Sequence, residues 1–199
     1  MKHVKMLGLA AVAAMALMAF VGASAASATE LYSGATTLKS GTTIEASLSG
    51  TASLLTTDRK TTLDTCTKGA VKGKTTNTGS STEAVKGNIE SLTWEECTEP
   101  TKTITVGTLQ ISWTSGQNGT LAAGTTATEV TVETTVFGSC VFTIGSGVTI
   151  GTLTGSTTSN AKLAVNAIAT RKSGLCPASA IWEGTYIVTN PKPLHVTAS

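Results

Sequence analysis

Histidine is nearly absent: after residue 28 it occurs once, as His195, four residues before the end of the chain. It is the side chain most often used as a base near neutral pH, and a serine nucleophile would need one beside it. No Gly-x-Ser-x-Gly elbow precedes it in the sequence. His195 therefore reads as a plain surface residue of the Pro191-Lys192-Pro193-Leu194 tail. Aspartate is equally scarce, with only Asp58 and Asp64, whereas a calcium loop gathers several oxygen ligands within a few residues. No calcium site is expected. Aromatic residues after position 28 number seven: Tyr32, Trp94, Trp113, Phe137, Phe142, Trp182 and Tyr186. A membrane-spanning β-barrel needs aromatic girdles at both interfaces, and this set is too small to supply them. Excess charge is also missing. The formal net charge of +2 comes from Lys2 and Lys5, and the remaining twelve Lys and Arg balance twelve Asp and Glu. Without a basic field, nucleic acid and anionic membrane surfaces are poor partners.

What is present begins with an export signal. Lys2 and Lys5 precede an apolar run from Met6 to Val21, which ends in small residues at Ala26-Ser27-Ala28. That order of charge, apolar stretch and small-residue cut site defines a helical signal peptide. The run is short and diluted by alanine, where a spanning helix needs roughly 20 apolar residues. Cleavage is expected after Ala28, leaving 29–199 as one domain. It would have no membrane span in its mature form. Cys66, Cys97, Cys140 and Cys176 all lie in that part. An even count behind an export signal reads as two disulfides. Zinc would want close ligand pairs, and no two of these cysteines are close, so no metal and no cofactor are expected. Three connectivities satisfy four cysteines. The favoured one joins Cys66 to Cys97 and Cys140 to Cys176, each bond closing a local segment on itself.

Threonine dominates the mature part, with forty of its residues. A branched β-carbon favours extended backbone and a hydroxyl tolerates water, which suits the outer face of a half-buried sheet. Apolar residues alternate with these threonines at period two. The runs include Ile44-Ala46-Leu48, Val85-Gly87-Ile89 and onward to Trp94, Val130-Val132-Thr134, Cys140-Phe142-Ile144, Leu163-Val165 and Tyr186-Val188. Between Thr103 and Trp113 the apolar set changes parity across Gly107-Thr108. Because such a slip would turn the core face to solvent, a bulge or bend is expected at Gly107. The segment Ala161 to Thr170 alternates as well as it spirals, and its flanks favour strand. The sequence predicts an all-β fold of eight to eleven short strands, as an antiparallel β-sandwich with a barrel as the alternative. A sandwich is preferred because disulfides commonly staple sheets that are not closed.

Few residues stand out as functional. Glu95, Glu96 and Glu99 gather beside Trp94 and Cys97, but neighbouring strand residues point to opposite faces. They read as a solvated turn rather than a glycosidase pair. The basic-leaning Arg59, Lys60, Lys68, Lys72 and Lys74 likewise read as a solvated face. Trp113 fits a core position, while Trp182 and Tyr186, with Gly184 between them, are the candidate ligand-facing aromatics of a sugar-binding face. Asn118-Gly119-Thr120 is a formal glycosylation acceptor.

The run Cys176-Pro177, Trp182, Gly184, Tyr186, Val188-Thr189, Pro191 and Pro193-Leu194 resembles the ending of a group of small exported proteins of high-GC Gram-positive bacteria. The resemblance implies export, β structure and disulfides, and it carries no catalytic residue and no ligand. The expectation is a secreted, non-enzymatic protein of the extracellular space or cell envelope that acts by binding or structurally. A cell-wall or extracellular glycan, or another protein, is the partner class left open. A carbohydrate-binding or carbohydrate-active protein is the first alternative, and a self-assembling adhesive subunit, pairing through threonine-rich strand edges, the second.

Overall fold

The computed structural model describes residues 29–199, so the expected signal peptide at 1–28 lies outside the described residues. All regular structure in this part is strand. The two ends of the described residues meet in a small sheet of β1 (Glu30–Ser33), β2 (Thr36–Thr37) and β15 (His195–Thr197), in the order β15-β1-β2. The rest forms one twelve-stranded sheet, in which every pairing is antiparallel. Its first strands are β3 (Thr43–Leu48), β4 (Ala52–Thr56), β5 (Thr62–Thr75), β6 (Val85–Cys97), β7 (Thr101–Thr105) and β8 (Thr108–Ser115). It continues with β9 (Asn118–Ala123), β10 (Thr128–Thr134), β11 (Gly138–Ile144), β12 (Thr149–Thr154), β13 (Lys162–Ser173) and β14 (Ser179–Asn190).

The expected all-β antiparallel architecture is present, in more strands and longer ones than the alternation suggested, and as one sheet coiled on itself. At one end the pairings return to their start: β5 to β6, β6 to β8, β8 to β9, β9 to β12, β12 to β13, β13 to β14, and β14 through β3 back to β5. At the other end the second half of β13 pairs with β11, β11 with β10, and β10 with β7. There the circuit stops. Among the described residues β7 pairs with no strand on its outer side, and β6 beyond Ile89 pairs only with β5. The barrel is not closed along its length, and a slit separates β6 from β7.

The parity change at Gly107 has its cause in this geometry. It is a break between two strands rather than a bulge within one: β7 belongs to the β10 wall and β8 to the β6–β9 wall. Gly107 sits where the chain crosses over, so close to the segment just before β10 that an added Cβ would lie 2.3 Å from the Thr126 carbonyl oxygen. Inside β6 the register does slip. Lys72 faces Ser91 and Gly73 faces Ile89, leaving Glu90 as an extra residue. That bulge returns Leu92 and Trp94 to the inner side on which Ile89 also lies.

Inward residues fall into two clusters. Leu31, Leu38, Leu194 and Val196 from the small sheet and the loops beside it pack with Leu121, Leu153, Val188 and Tyr186, sealing the closed end. At the slit end Leu54, Val132, Phe142, Ala169 and Trp182 pack with the half-cystines. Both disulfides lie there. Cys66 is bonded to Cys97, its direct partner across β5 and β6, and Cys140 of β11 to Cys176 in the turn after β13. The first bond thus fastens the β6 bank of the slit to β5, and the second ties β11, two strands in from β7, to the turn after β13. The outer face carries the charges. Lys68, Lys72 and Lys74 of β5 pair with Glu96, Glu45 and Glu90 at 2.6, 3.1 and 2.8 Å, all well exposed, and Arg59 pairs with Glu183. Exposed pairs of this kind contribute under about 1 kcal/mol each.

Candidate functional site

The inward alternation of β13 places Leu163, Val165, Ala167 and Ala169 on the interior face. The last two are alanines. With small residues there and few aromatics elsewhere, the facing walls do not fill the space between them. What remains is a cavity of about 130 Å³, bounded by Leu54, Leu92, Trp94, Val130, Phe142, Val165, Trp182 and Tyr186 among others. A smaller chamber of about 70 Å³ continues toward Leu31, Leu153 and Leu194, and Val71, Ile89, Leu109, Leu121 and Leu163 border both. Native interiors leave few voids larger than a water molecule. At about 24 cal/mol per Å³ of void, the larger chamber alone forgoes roughly 3 kcal/mol of packing. It is comparable in size to the apolar cavity of about 150 Å³ that binds benzene in an engineered lysozyme.

The Trp94, Trp182 and Tyr186 side chains meet at its wall. The Trp94 and Trp182 rings stack obliquely with centroids 4.0 Å apart, and the Trp94 Nε1–H donates to the Tyr186 hydroxyl at 2.8 Å. Burial pushes the Tyr186 hydroxyl above its ordinary pKa, against a smaller opposing effect of the hydrogen bonds from Trp94 and Trp182. The phenol therefore stays protonated, able to donate. The polar groups on the main chamber's wall are thus two indoles, one phenol and the Thr128 hydroxyl, which accepts the Gly107 N–H at 3.2 Å.

Trp182 and Tyr186, the candidate ligand-facing aromatics, are only 7% and 3% exposed. They do face a concavity, but an internal and apolar one, and they form no outward sugar-stacking surface. Trp94 joins them although β6 and β14 are distant in sequence, because the coiling of the sheet brings the two strands together. Trp113 is half-buried against the closed-end cluster, with its Nε1–H donating to the Gly116 carbonyl at 3.0 Å. His195 is not a surface residue, since it is 6% exposed and stacks on Tyr32 at 5.5 Å. The tail that holds it is strand β15, paired with β1 and covered.

The acidic group beside Trp94 divides among separate partners: Glu96 takes Lys68 and the Thr67 hydroxyl, and Glu99 accepts from the Thr135 hydroxyl at 2.9 Å. Contact with Lys68 and Thr67 holds the Glu96 carboxyl below its ordinary pKa. Asp64, Cys66 and Cys97 offer ligand atoms within 4.8 Å of one another. Both sulfurs are bonded to each other, however, and the Asp64 carboxylate accepts from Thr65 N, Thr98 Oγ1 and Glu99 N at 2.8, 3.0 and 2.9 Å. That is a structural corner. Asn118 turns its amide oxygen to the Gly155 N–H at 3.1 Å.

Among the described residues no helix is long and apolar enough to cross a membrane. Two disulfides fit a chain that matures outside a reducing cytosol. No family model matches the chain, and neither does any curated protein or solved structure. Its class is structural: an all-β, doubly disulfide-bonded protein whose coiled twelve-stranded sheet encloses an apolar chamber.

Proposed function

We propose that this is an exported, non-catalytic binding protein of the extracellular space or cell envelope, and that its ligand occupies the chamber inside the coiled sheet. One observation carries the reading: an apolar cavity of about 130 Å³ is kept open beneath a slit between the unpaired edges of β6 and β7, with both disulfides at that end of the molecule. An unfilled interior costs stability, and a ligand recovers it. The lining supports binding over reaction, because it brings hydroxyl and indole donors to the chamber and no carboxylate, imidazole or thiol. The outer face argues for water around the molecule. Its lysine–glutamate pairs and apolar interior reverse the arrangement of a membrane-spanning barrel, which is apolar outside and polar within.

Titration with an uncharged naphthylamine dye, whose emission rises in apolar surroundings, tests this directly. Saturable one-site binding with quenching of tryptophan emission is expected, and Val165→Phe, which fills the chamber from β13, should weaken it by about tenfold or more. Absence of saturable binding, or equal binding by the filled variant, would contradict the proposal.

A further inference from the structure

We infer that the ligand is an uncharged, chain-shaped molecule, mostly hydrocarbon, with one oxygen acceptor seated at the Tyr186 hydroxyl. This rests on the chamber being a binding site, and it adds the ligand's charge, shape and polar contact.

Charge follows from the lining. Among the described residues no charged side chain borders the main chamber. Lys74 and Lys86 border the smaller one, but their ammonium groups are already paired with Glu90 and Glu83 at 2.8 and 2.6 Å. A ligand carboxylate would enter without a counter-ion, and an unpaired charge in an apolar site is strongly disfavoured.

Shape follows from the two chambers. They adjoin, bordered in common by Val71, Ile89, Leu109, Leu121 and Leu163. A compact ring system seated in the larger space would leave the smaller one empty. A flexible chain fills both, its tail running toward the end sealed by Leu31, Leu153 and Leu194.

The polar contact follows from hydrogen-bond accounting. Tyr186 Oη accepts from Trp94, and among the described residues its own proton is given to no acceptor. A buried donor without a partner is costly, and an acceptor supplied by a ligand removes that cost. An ester, ketone, ether or alcohol oxygen fits equally, and each satisfies the same donor.

Displacement of the naphthylamine dye from the wild-type protein tests all three points. Competitors are methyl esters of straight-chain acids of increasing length, the matching alkanes, the matching free carboxylates at neutral pH, and a cage hydrocarbon of equal carbon number. Affinity for the esters is expected to rise about fourfold per added methylene until the chambers are full. Alkanes should bind about fivefold more weakly than esters of the same length, and carboxylates at least about tenfold more weakly. In Tyr186→Phe the ester should fall to the level of the alkane, whose own affinity should not change. Esters and alkanes binding alike to the wild type would overturn the Tyr186 contact, without recourse to the variant. Carboxylates competing as well as esters would overturn the charge assignment, and the cage compound outcompeting the chains would overturn the shape. In each of those cases the dye is still bound, so binding in the chamber stands. Failure of the dye itself to bind removes the underlying reading instead.

Discussion

His195 shows what burial does to one titratable side chain. Among the described residues its buried Nδ1 has no hydrogen-bond partner, and its ring lies on Tyr32, whose hydroxyl donates to Glu30 at 2.8 Å. Desolvation lowers its pKa from the ordinary 6.5, so the folded protein holds it neutral while the unfolded chain takes up a proton near that value. The unfolded state then binds more protons below pH 6.5. The stability that His195 contributes is complete above that pH and is lost as the pH falls from there toward its depressed folded pKa. The urea midpoint of the wild type should drop between about pH 7 and about pH 5, and His195→Phe, which keeps the stacked ring, should flatten the drop. The same slope in both proteins would show that His195 does not cause it. Nothing near His195 in the sequence announces this burial. Its cover comes from β1, at the opposite end of the described chain, and proline flanks made the segment look like an exposed tail.

Alternation serves well at the scale of the element where one wall of the strand is large and apolar. It locates β3, β6, β11, β13 and β14, and it favours strand over helix for Ala161 to Thr170, most of which lies in β13. It fails for β5, whose Thr-Lys-Gly-rich run is held by its neighbours on both sides and by the corner at Asp64 rather than by its own pattern. Asp64 accepts from the N–H of its neighbour Thr65 and, at the β6–β7 turn, from the Glu99 N–H and the Thr98 hydroxyl. Asp64→Ala is therefore expected to cost about 3 kcal/mol or more in denaturant unfolding with the disulfides intact, and Asp64→Asn less, since hydrogen bonds to a charged acceptor are the stronger kind. A cost under about 0.5 kcal/mol, the range of ordinary surface changes, would show that the corner is not structural. The parity change at Gly107 was legible as an irregularity. Its meaning was not, because a bulge and a crossover between walls leave the same mark in a sequence.

For the whole molecule, composition carried the outline. Scarce aromatics, abundant threonine and four cysteines after residue 28 specify a stapled sheet with a hydroxylated exterior. Which walls face each other was hidden. β14 meets β13 on one side and β3 and β4 on the other, and those long-range pairings create the interior. Only in retrospect is the chamber foreshadowed, by alanines at inward positions and by too few bulky side chains to fill so large a coil.

The most direct test of the chamber as the binding site is methyl NMR of the protein with a straight-chain methyl ester added. Leu54, Val130, Ile144, Leu163 and Val165 line the interior, whereas Val136, Ile168 and Leu175 lie exposed on the outside. The account predicts saturable shifts in the first group, with the second group unmoved. Shifts confined to Val136, Ile168 and Leu175 would place the ligand on the surface and contradict it.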